Sequence, residues 1–146
     1  MKYKIRHNMN YCIGCKCCQL ACKDKHNLPV GLNLICIQEQ ELLHVSGLVK
    51  YSIKMCLQCK EPKCLLACPE KAIVKDENDI ILIDRQLCTG CKKCLDHCTV
   101  GAIMYYSDFN VAIKCDGCIQ DRIRKEVPAC VQACPMNCLT YALKGE

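Results

Sequence analysis

Cysteine constrains this chain more than any other residue type, because sixteen of its nineteen cysteines fall into four copies of one spacing pattern. Cys12, Cys15, Cys18 and Cys22 read C-x2-C-x2-C-x3-C. Cys56, Cys59, Cys64 and Cys68 read C-x2-C-x4-C-x3-C and run into Pro69. Cys88, Cys91, Cys94 and Cys98 repeat the first spacing, and Cys115, Cys118, Cys130 and Cys134 read C-x2-C-x11-C-x3-C before Pro135. In such a run three close thiolates each take one corner of a [4Fe–4S] cube, and the fourth cysteine reaches a neighbouring cube. Four runs therefore imply four [4Fe–4S] clusters.

A length of 146 residues suits one ordinary domain, but the hydrophobic fraction of 51% counts every cysteine. One Phe, six Tyr and no Trp leave a thin apolar core. A chain of this composition is not expected to fold on apolar burial alone. Binding of an inorganic centre supplies folding free energy directly, so the cluster-free chain is expected to be largely unfolded. A disulfide framework fits poorly with an odd cysteine count. The start of the chain, Met1-Lys2-Tyr3-Lys4-Ile5-Arg6-His7, has no apolar segment of a secretory signal. A cytoplasmic, reducing compartment is expected, where thiols bind metal rather than pair. Zinc ribbons share the C-x-x-C pairs but have no use for the third and fourth thiols of each run. No stretch approaches the ~18 consecutive apolar residues of a membrane helix, so no direct membrane insertion is expected.

The formal charge of +5 assumes neutral thiols. Four cubes of about −2 each add about −8, which leaves the loaded protein near about −3. Lys16, Lys23, Lys60, Lys63, Lys92, Lys93, Arg122, Arg124 and Lys125 are spread through the runs. They read as charge compensation and solvated surface, and no nucleic-acid partner is expected.

The chain repeats internally. The first run maps onto the third without insertion, and the second maps onto the fourth, whose middle spacer Ile119 to Ala129 is longer than Lys60 to Lys63. Duplication of a two-cluster ferredoxin is the simplest account. After the second run, Ala72 to Lys75 and Ile80 to Ile83 flank a polar turn and predict a β-hairpin. Ala102 to Tyr106 and Asn110 to Ile113 repeat that plan after the third run. The x3 pairs, such as Cys94 with Cys98, suit one helical turn. Residues 27–54, with no run, are expected to form a covering connection with one or two strands.

Gly14, Gly90 and Gly117 precede the second cysteine of their runs, where the backbone must turn sharply with positive φ. The second run has Gln58 there, a departure expected to alter the backbone. Of the three spare cysteines, Cys138 aligns with Ala72 and Ala102 as a small buried residue. Cys17 aligns with Lys93 at a tolerant position, and Cys36 sits in the apolar segment Leu34-Ile35-Cys36-Ile37 as a small hydrophobe. His7, His26, His44 and His97 form no ligand spacing.

Three segments carry a resemblance: Cys12-Ile13-Gly14-Cys15-Lys16-Cys17-Cys18-Gln19-Leu20-Ala21-Cys22-Lys23-Asp24, Cys59-Lys60-Glu61-Pro62-Lys63-Cys64, and Lys114-Cys115-Asp116-Gly117-Cys118 with its long loop to Cys130. With them the chain resembles, over nearly its whole length, the four-cluster iron–sulfur subunits of the dimethyl sulfoxide reductase type, which serve molybdenum and tungsten oxidoreductases. The resemblance implies an α+β fold of two bacterial dicluster ferredoxin-like modules, one nested in the other. Residues 50–114 would form the inner module, and 1–49 plus 115–146 the outer one. It implies four ligand sets. The first is Cys12, Cys15, Cys18 and Cys134; the second is Cys115, Cys118, Cys130 and Cys22. The third is Cys56, Cys59, Cys64 and Cys98; the fourth is Cys88, Cys91, Cys94 and Cys68.

The function implied is that of a non-catalytic electron-transfer subunit. It would pass single electrons to or from a large catalytic redox subunit, foremost a molybdenum- or tungsten-pterin oxidoreductase, alongside further electron-transfer subunits. Similar small subunits serve aldehyde oxidoreductases, formate dehydrogenases, hydrogenases and carbon monoxide dehydrogenases. A place in a hydrogenase or carbon monoxide dehydrogenase complex, or a freely diffusing polyferredoxin, therefore stays open. Two departures stand out: Thr99 replaces a usual proline, and the chain ends at Glu146 without the extension that docks to a membrane anchor in respiratory members. From the latter a soluble complex is expected. No glycine-rich dinucleotide loop and no C-x3-C-x2-C run is present, so no catalytic residue is expected.

Overall fold

The computed structural model describes residues 4–41 and 49–142; His44 and the last four residues lie outside them. The elements are short and alternate along the chain. They are β1 (Lys4–His7), α1 (Cys17–Lys25), β2 (Ile35–Glu41), β3 (Val49–Met55), α2 (Lys63–Leu66), β4 (Ile73–Lys75) and β5 (Ile81–Ile83). Then come α3 (Lys93–Asp96), β6 (Met104–Tyr106), β7 (Val111–Ile113), α4 (Ile119–Ile123), α5 (Ala129–Gln132) and β8 (Leu139–Ala142), with a 3-10 turn at Ser107–Phe109 between β6 and β7. This is a small α+β structure.

The strands form four antiparallel pairs: β1 with β8, β2 with β3, β4 with β5 and β6 with β7. The β4–β5 pair sets Ile73 opposite Ile83, and β6–β7 sets Met104 opposite Ile113. Both lie where apolar segments flank polar turns. Asp76 closes the first turn by accepting from the N–H groups of Asn78 and Ile80 at 2.9 and 2.7 Å. The β1–β8 pair joins the two ends of the described chain, with Ile5 opposite Tyr141. Residues 27–54 supply both β2 and β3, paired from Ile35 opposite Met55 to Glu41 opposite Val49.

The helices are single turns apart from α1, and they begin without side-chain caps. Lys16, Lys92 and Cys118, at φ 62, 63 and 50, turn the chain left-handed into α1, α3 and α4. The repeat is visible again past the last cysteine of three runs. Lys71, Gly101 and Asn137 all take positive φ, and their N–H groups donate back to the carbonyls of Cys68, Cys98 and Cys134. The expectation for Gln58 needs correction. At φ 49 it adopts the left-handed turn that Gly14, Gly90 and Gly117 adopt at 68, 71 and 69. Its side chain offsets the strain a non-glycine residue meets there: Oε1 accepts from the Ile81 N–H at 2.9 Å and Nε2 donates to the Cys115 carbonyl at 3.1 Å.

Burial divides into two clusters. One gathers Leu28, Leu34, Ile35, Met55, Ile113 and Leu139 around Cys18, Cys22, Cys115, Cys130 and Cys134. The other gathers Ile73, Ile81, Ile103 and Ala112 around Cys64 and Cys94. In both, thiols occupy positions that aliphatic side chains fill in an ordinary core. Helix α1 packs on α5, and α2 on α3.

Candidate metal centre

Eight of the sixteen run thiols line two cavities, each of which joins three cysteines of one run to one of another. Cys12, Cys15, Cys18 and Cys134 line one cavity walled by Ile37, Ile53 and Leu139. Cys68, Cys88, Cys91 and Cys94 line a second, walled by Ile73, Ile83 and Ala112. The other eight are linked by the influence of each on its neighbours' ionisation. Burial raises Cys22, and the thiolates of Cys130 and Cys118 raise it further. Burial likewise holds Cys115 well up, with Cys22 adding to it. Cys59 and Cys64 are raised by burial and then by Cys56 and Cys98.

The local fold explains this crossing. Helix α1 carries Cys18 and Cys22 four residues apart on one face, both buried. Cys18 faces Cys134 and its own run, and Cys22 faces the loop Cys115–Cys130. Helices α2 and α3 repeat the device: Cys98, after α3, stands with the second run, and Cys68, after α2, with the third. The groups differ in exposure. Cys22, Cys115, Cys118 and Cys130 are all buried, whereas Cys15 and Cys91 are exposed.

Burial and the negative charge of a neighbouring thiolate both disfavour ionisation of a thiol. Burial followed by neighbouring thiolates takes Cys18 to about 11, Cys94 to about 11 and Cys130 to about 12. A cation-rich centre that accepts thiolates reverses that cost. Backbone N–H groups are also aimed at sulfur: Ala102 at Cys98 Sγ (3.2 Å), Ala112 at Cys88 Sγ (3.4 Å) and Gly117 at Cys115 Sγ (3.4 Å). Such bonds favour the ionised thiolate. The residues therefore fit iron–sulfur clusters.

Several side chains outside the runs reach these groups. Cys138 is buried, but its sulfur points at the first group, 3.4 Å from Cys134 Sγ. Burial alone raises Cys134, yet the N–H groups of Leu139, Cys138 and Met136 with the Cys138 thiol outweigh it and the thiol ends up lowered. The burial of Cys138 agrees with its alignment to Ala72 and Ala102; the aim of its sulfur is new. His7 lies with Cys12 and Cys138, and His26 with Asp116 and Cys118, in groups tight enough for three donors to share a centre. His26 Nε2 stands 3.8 Å from both Cys118 Sγ and Asp116 Oδ1. No spacing signals these contacts, since His26 and Cys118 lie far apart in the chain. Cys36 is half-buried rather than a core residue. Cys17 is exposed at the first position of α1, as Lys93 is in α3, and His97 lies at the surface with Nδ1 2.8 Å from the Lys93 carbonyl.

Among the basic residues, Lys23 is not simply solvated. Its Nζ donates to the carbonyls of Pro29 and Leu32, the latter at 3.1 Å, and pins the 27–34 segment to α1. Lys25 reaches the buried carboxylate of Asp121 at 2.5 Å, which ties α1 to α4.

The sequence matches the 4Fe–4S dicluster domain family over residues 48–144, a span that holds three of the four cysteine runs. It is 33% identical over 139 residues to the B subunit of the anaerobic dimethyl sulfoxide reductase of Escherichia coli (strain K12), covering 89% of this chain and 68% of that subunit. The B subunit of the polysulfide reductase of Wolinella succinogenes is 32% identical over 144 residues, covering 96% of this chain and 75% of its own length. The thiosulfate reductase electron transfer subunit PhsB of Salmonella typhi is 30% identical over 149 residues, covering 99% and 78%. Among the described residues no helix is long and apolar enough to cross a membrane.

Proposed function

The chain belongs to the 4Fe–4S dicluster family of iron–sulfur electron-transfer subunits, and we propose that it relays single electrons through four [4Fe–4S] clusters to or from a catalytic partner. It is a non-catalytic subunit of an oxidoreductase complex. Each cube, when bound, accepts or gives one electron without bond rearrangement in the protein.

Cys12, Cys15, Cys18 and Cys134 would hold the first cluster, and Cys115, Cys118, Cys130 and Cys22 the second. Cys56, Cys59, Cys64 and Cys98 would hold the third, and Cys88, Cys91, Cys94 and Cys68 the fourth. The observation that carries this reading is the crossing of thiols between runs, above all Cys22 facing Cys130 and Cys118 across the chain. It favours nested modules, 50–114 inside 1–49 plus 115–146, over consecutive ones. The β1–β8 pairing of the chain ends and the α1–α5 packing support the outer module. The α2–α3 packing and the separate burial cluster around Cys64 and Cys94 support the inner one.

The order of the relay follows from neighbours. Cys18 and Cys22 share α1 and join the first site to the second. Cys115 senses Cys56 and joins the second to the third. Cys68 and Cys98 exchange between the third and fourth. The exposed members, Cys15 and Cys91, belong to the first and fourth sites, so the two ends of the relay reach the surface. Exposed Ile13 and Met136 beside the first site favour a docked subunit over a freely diffusing carrier. The relatives named as reductase subunits point to a molybdenum- or tungsten-pterin reductase as the catalytic partner. Anaerobic purification of the native complex tests this: the chain should co-purify with a large redox subunit that binds substrate. Recovery of the chain alone, loaded and reducing several unrelated acceptors equally, would contradict it.

A further inference from the structure

Two charged side chains are buried among the described residues, Asp121 and Lys114. Asp121 is answered by Lys25. Lys114, only 6% exposed, takes part in none of the ion pairs of the described residues. Its Nζ donates to the carbonyl of Ile81 and, at 3.0 Å, to that of Cys115. Two neutral carbonyls are a poor exchange for the hydration of an ammonium group, so a buried lysine needs negative charge nearby.

That charge is on sulfur. Lys114 is a lesser influence on Cys59 and Cys64 than burial and Cys56, but it favours their ionised forms. Cys115, its chain neighbour, belongs to the adjoining group and senses Cys56 across the gap. Lys114 therefore sits at the seam between the second and third sites. Gln58 fixes the seam: the Cys115 carbonyl accepts from both Lys114 Nζ and Gln58 Nε2, while Gln58 Oε1 holds the N–H of Ile81, whose carbonyl is the other Lys114 acceptor.

We propose that Lys114 is the built-in counter-ion at the crossing between the two modules, and that its charge raises the reduction potential of the cluster held by Cys56, Cys59, Cys64 and Cys98. The proposal rests on the ligand sets above. Reduction adds one electron and no proton, taking the cube with its thiolates from about −2 to about −3. A fixed cation stabilises the more negative state more, and a buried one is little screened by salt. The electron comes from the neighbouring cube or, in a titration, from dithionite. A purely structural lysine would only bridge two carbonyls, which a neutral donor could also do.

The test uses the full chain, loaded anaerobically, as parent, Lys114→Met, Lys114→Gln and Lys114→Arg. Iron content is measured, and a dithionite titration is followed by electron paramagnetic resonance. Lys114→Met and Lys114→Gln should keep the parent's iron while the reduction equilibrium of one cluster shifts about tenfold towards the oxidised form, ~59 mV for one electron. Lys114→Arg should stay near the parent. Unchanged potentials in fully loaded Lys114→Met would overturn the proposal and leave the four-cluster reading standing. If the two neutral variants fail to load while Lys114→Arg loads, the charge is needed for assembly rather than for setting the potential, and the proposal is overturned. If all three fail, the residue is needed for shape and the proposal is wrong. A parent short of iron sinks the ligand sets first, and the proposal with them.

Discussion

Gly90→Ala tests whether the C-x-x-C loops are as tight as their geometry. Gly90 lies at φ +71, and a Cβ built on it would stand 2.8 Å from Asn110 Cγ and closer still to Asn110 Oδ1 and the Asn110 carbonyl oxygen. The left-handed conformation costs an alanine about 1 kcal/mol. Overpacking against neighbours that cannot withdraw costs about 1–3 kcal/mol more. Asn110 is such a neighbour, held by Tyr105 Oη at 2.6 Å from its Oδ1 and by its own Nδ2 donating to the Thr89 carbonyl at 3.3 Å. The total of about 2–4 kcal/mol is a large share of the ~5–15 kcal/mol that a domain has. The loop also presents Cys88 and Cys91. Denaturant midpoints with iron content as the readout should show that loss, together with a partial loss of iron. Asn110→Gly removes Oδ1 but leaves the carbonyl, so it should not rescue Gly90→Ala. At Gly14 the obstacle is the ring of Tyr51, with Cδ1 at 2.6 Å. There Tyr51→Ala should relieve all but the conformational cost. A Gly90→Ala chain with full iron and stability within about 0.5 kcal/mol of the parent would refute the reasoning.

Further outcomes follow from the sites. Cys138→Ala should keep full iron, and by deleting the thiol beside Cys134 Sγ it should lower the potential of one cluster; loss of a whole cluster would make Cys138 a ligand. Cys22→Ser should damage the cluster near Cys115, Cys118 and Cys130 in the spectra, and damage confined to the cluster near Cys56, Cys59 and Cys64 would favour sequential pairing. Cluster loading should release protons and weaken as pH falls. A free thiol, with a pKa of about 8.5, is protonated near neutrality, and burial with neighbouring thiolates pushes Cys18 to about 11 and Cys130 to about 12 where the chain is folded, so each bound thiolate must shed its proton. Proton release in weak buffer measures this, and loading without release would contradict it. Removal of iron by a chelator should abolish the helical signal in circular dichroism, because sulfur fills core positions that aliphatic side chains leave open.

Much of this is legible in the sequence because ligand spacing is a local property. The runs, the polar turn Asp76 to Asp79 and the apolar segments around it all lie within a few residues of one another. The rest depends on contacts across the fold. Gln58 reads as a departure from the glycine rule, yet it keeps the turn by bonding to Ile81 and Cys115. Lys114 stands in the sequence only as the residue before Cys115 in the third matching segment, and nothing local marks it as buried with its Nζ on the carbonyl of Ile81 in β5. Cys138 shares its burial with Ala72 and Ala102, but no alignment gives the direction of its thiol. His26 meets Cys118 and Asp116 only after the chain closes on itself.

Iron and acid-labile sulfide per chain, measured on protein purified without oxygen, test the central claim most directly. Four cubes require about sixteen of each. About eight would mean that two of the four thiol groups hold nothing, and appreciable zinc in their place would contradict the account of the chain as a four-cluster relay.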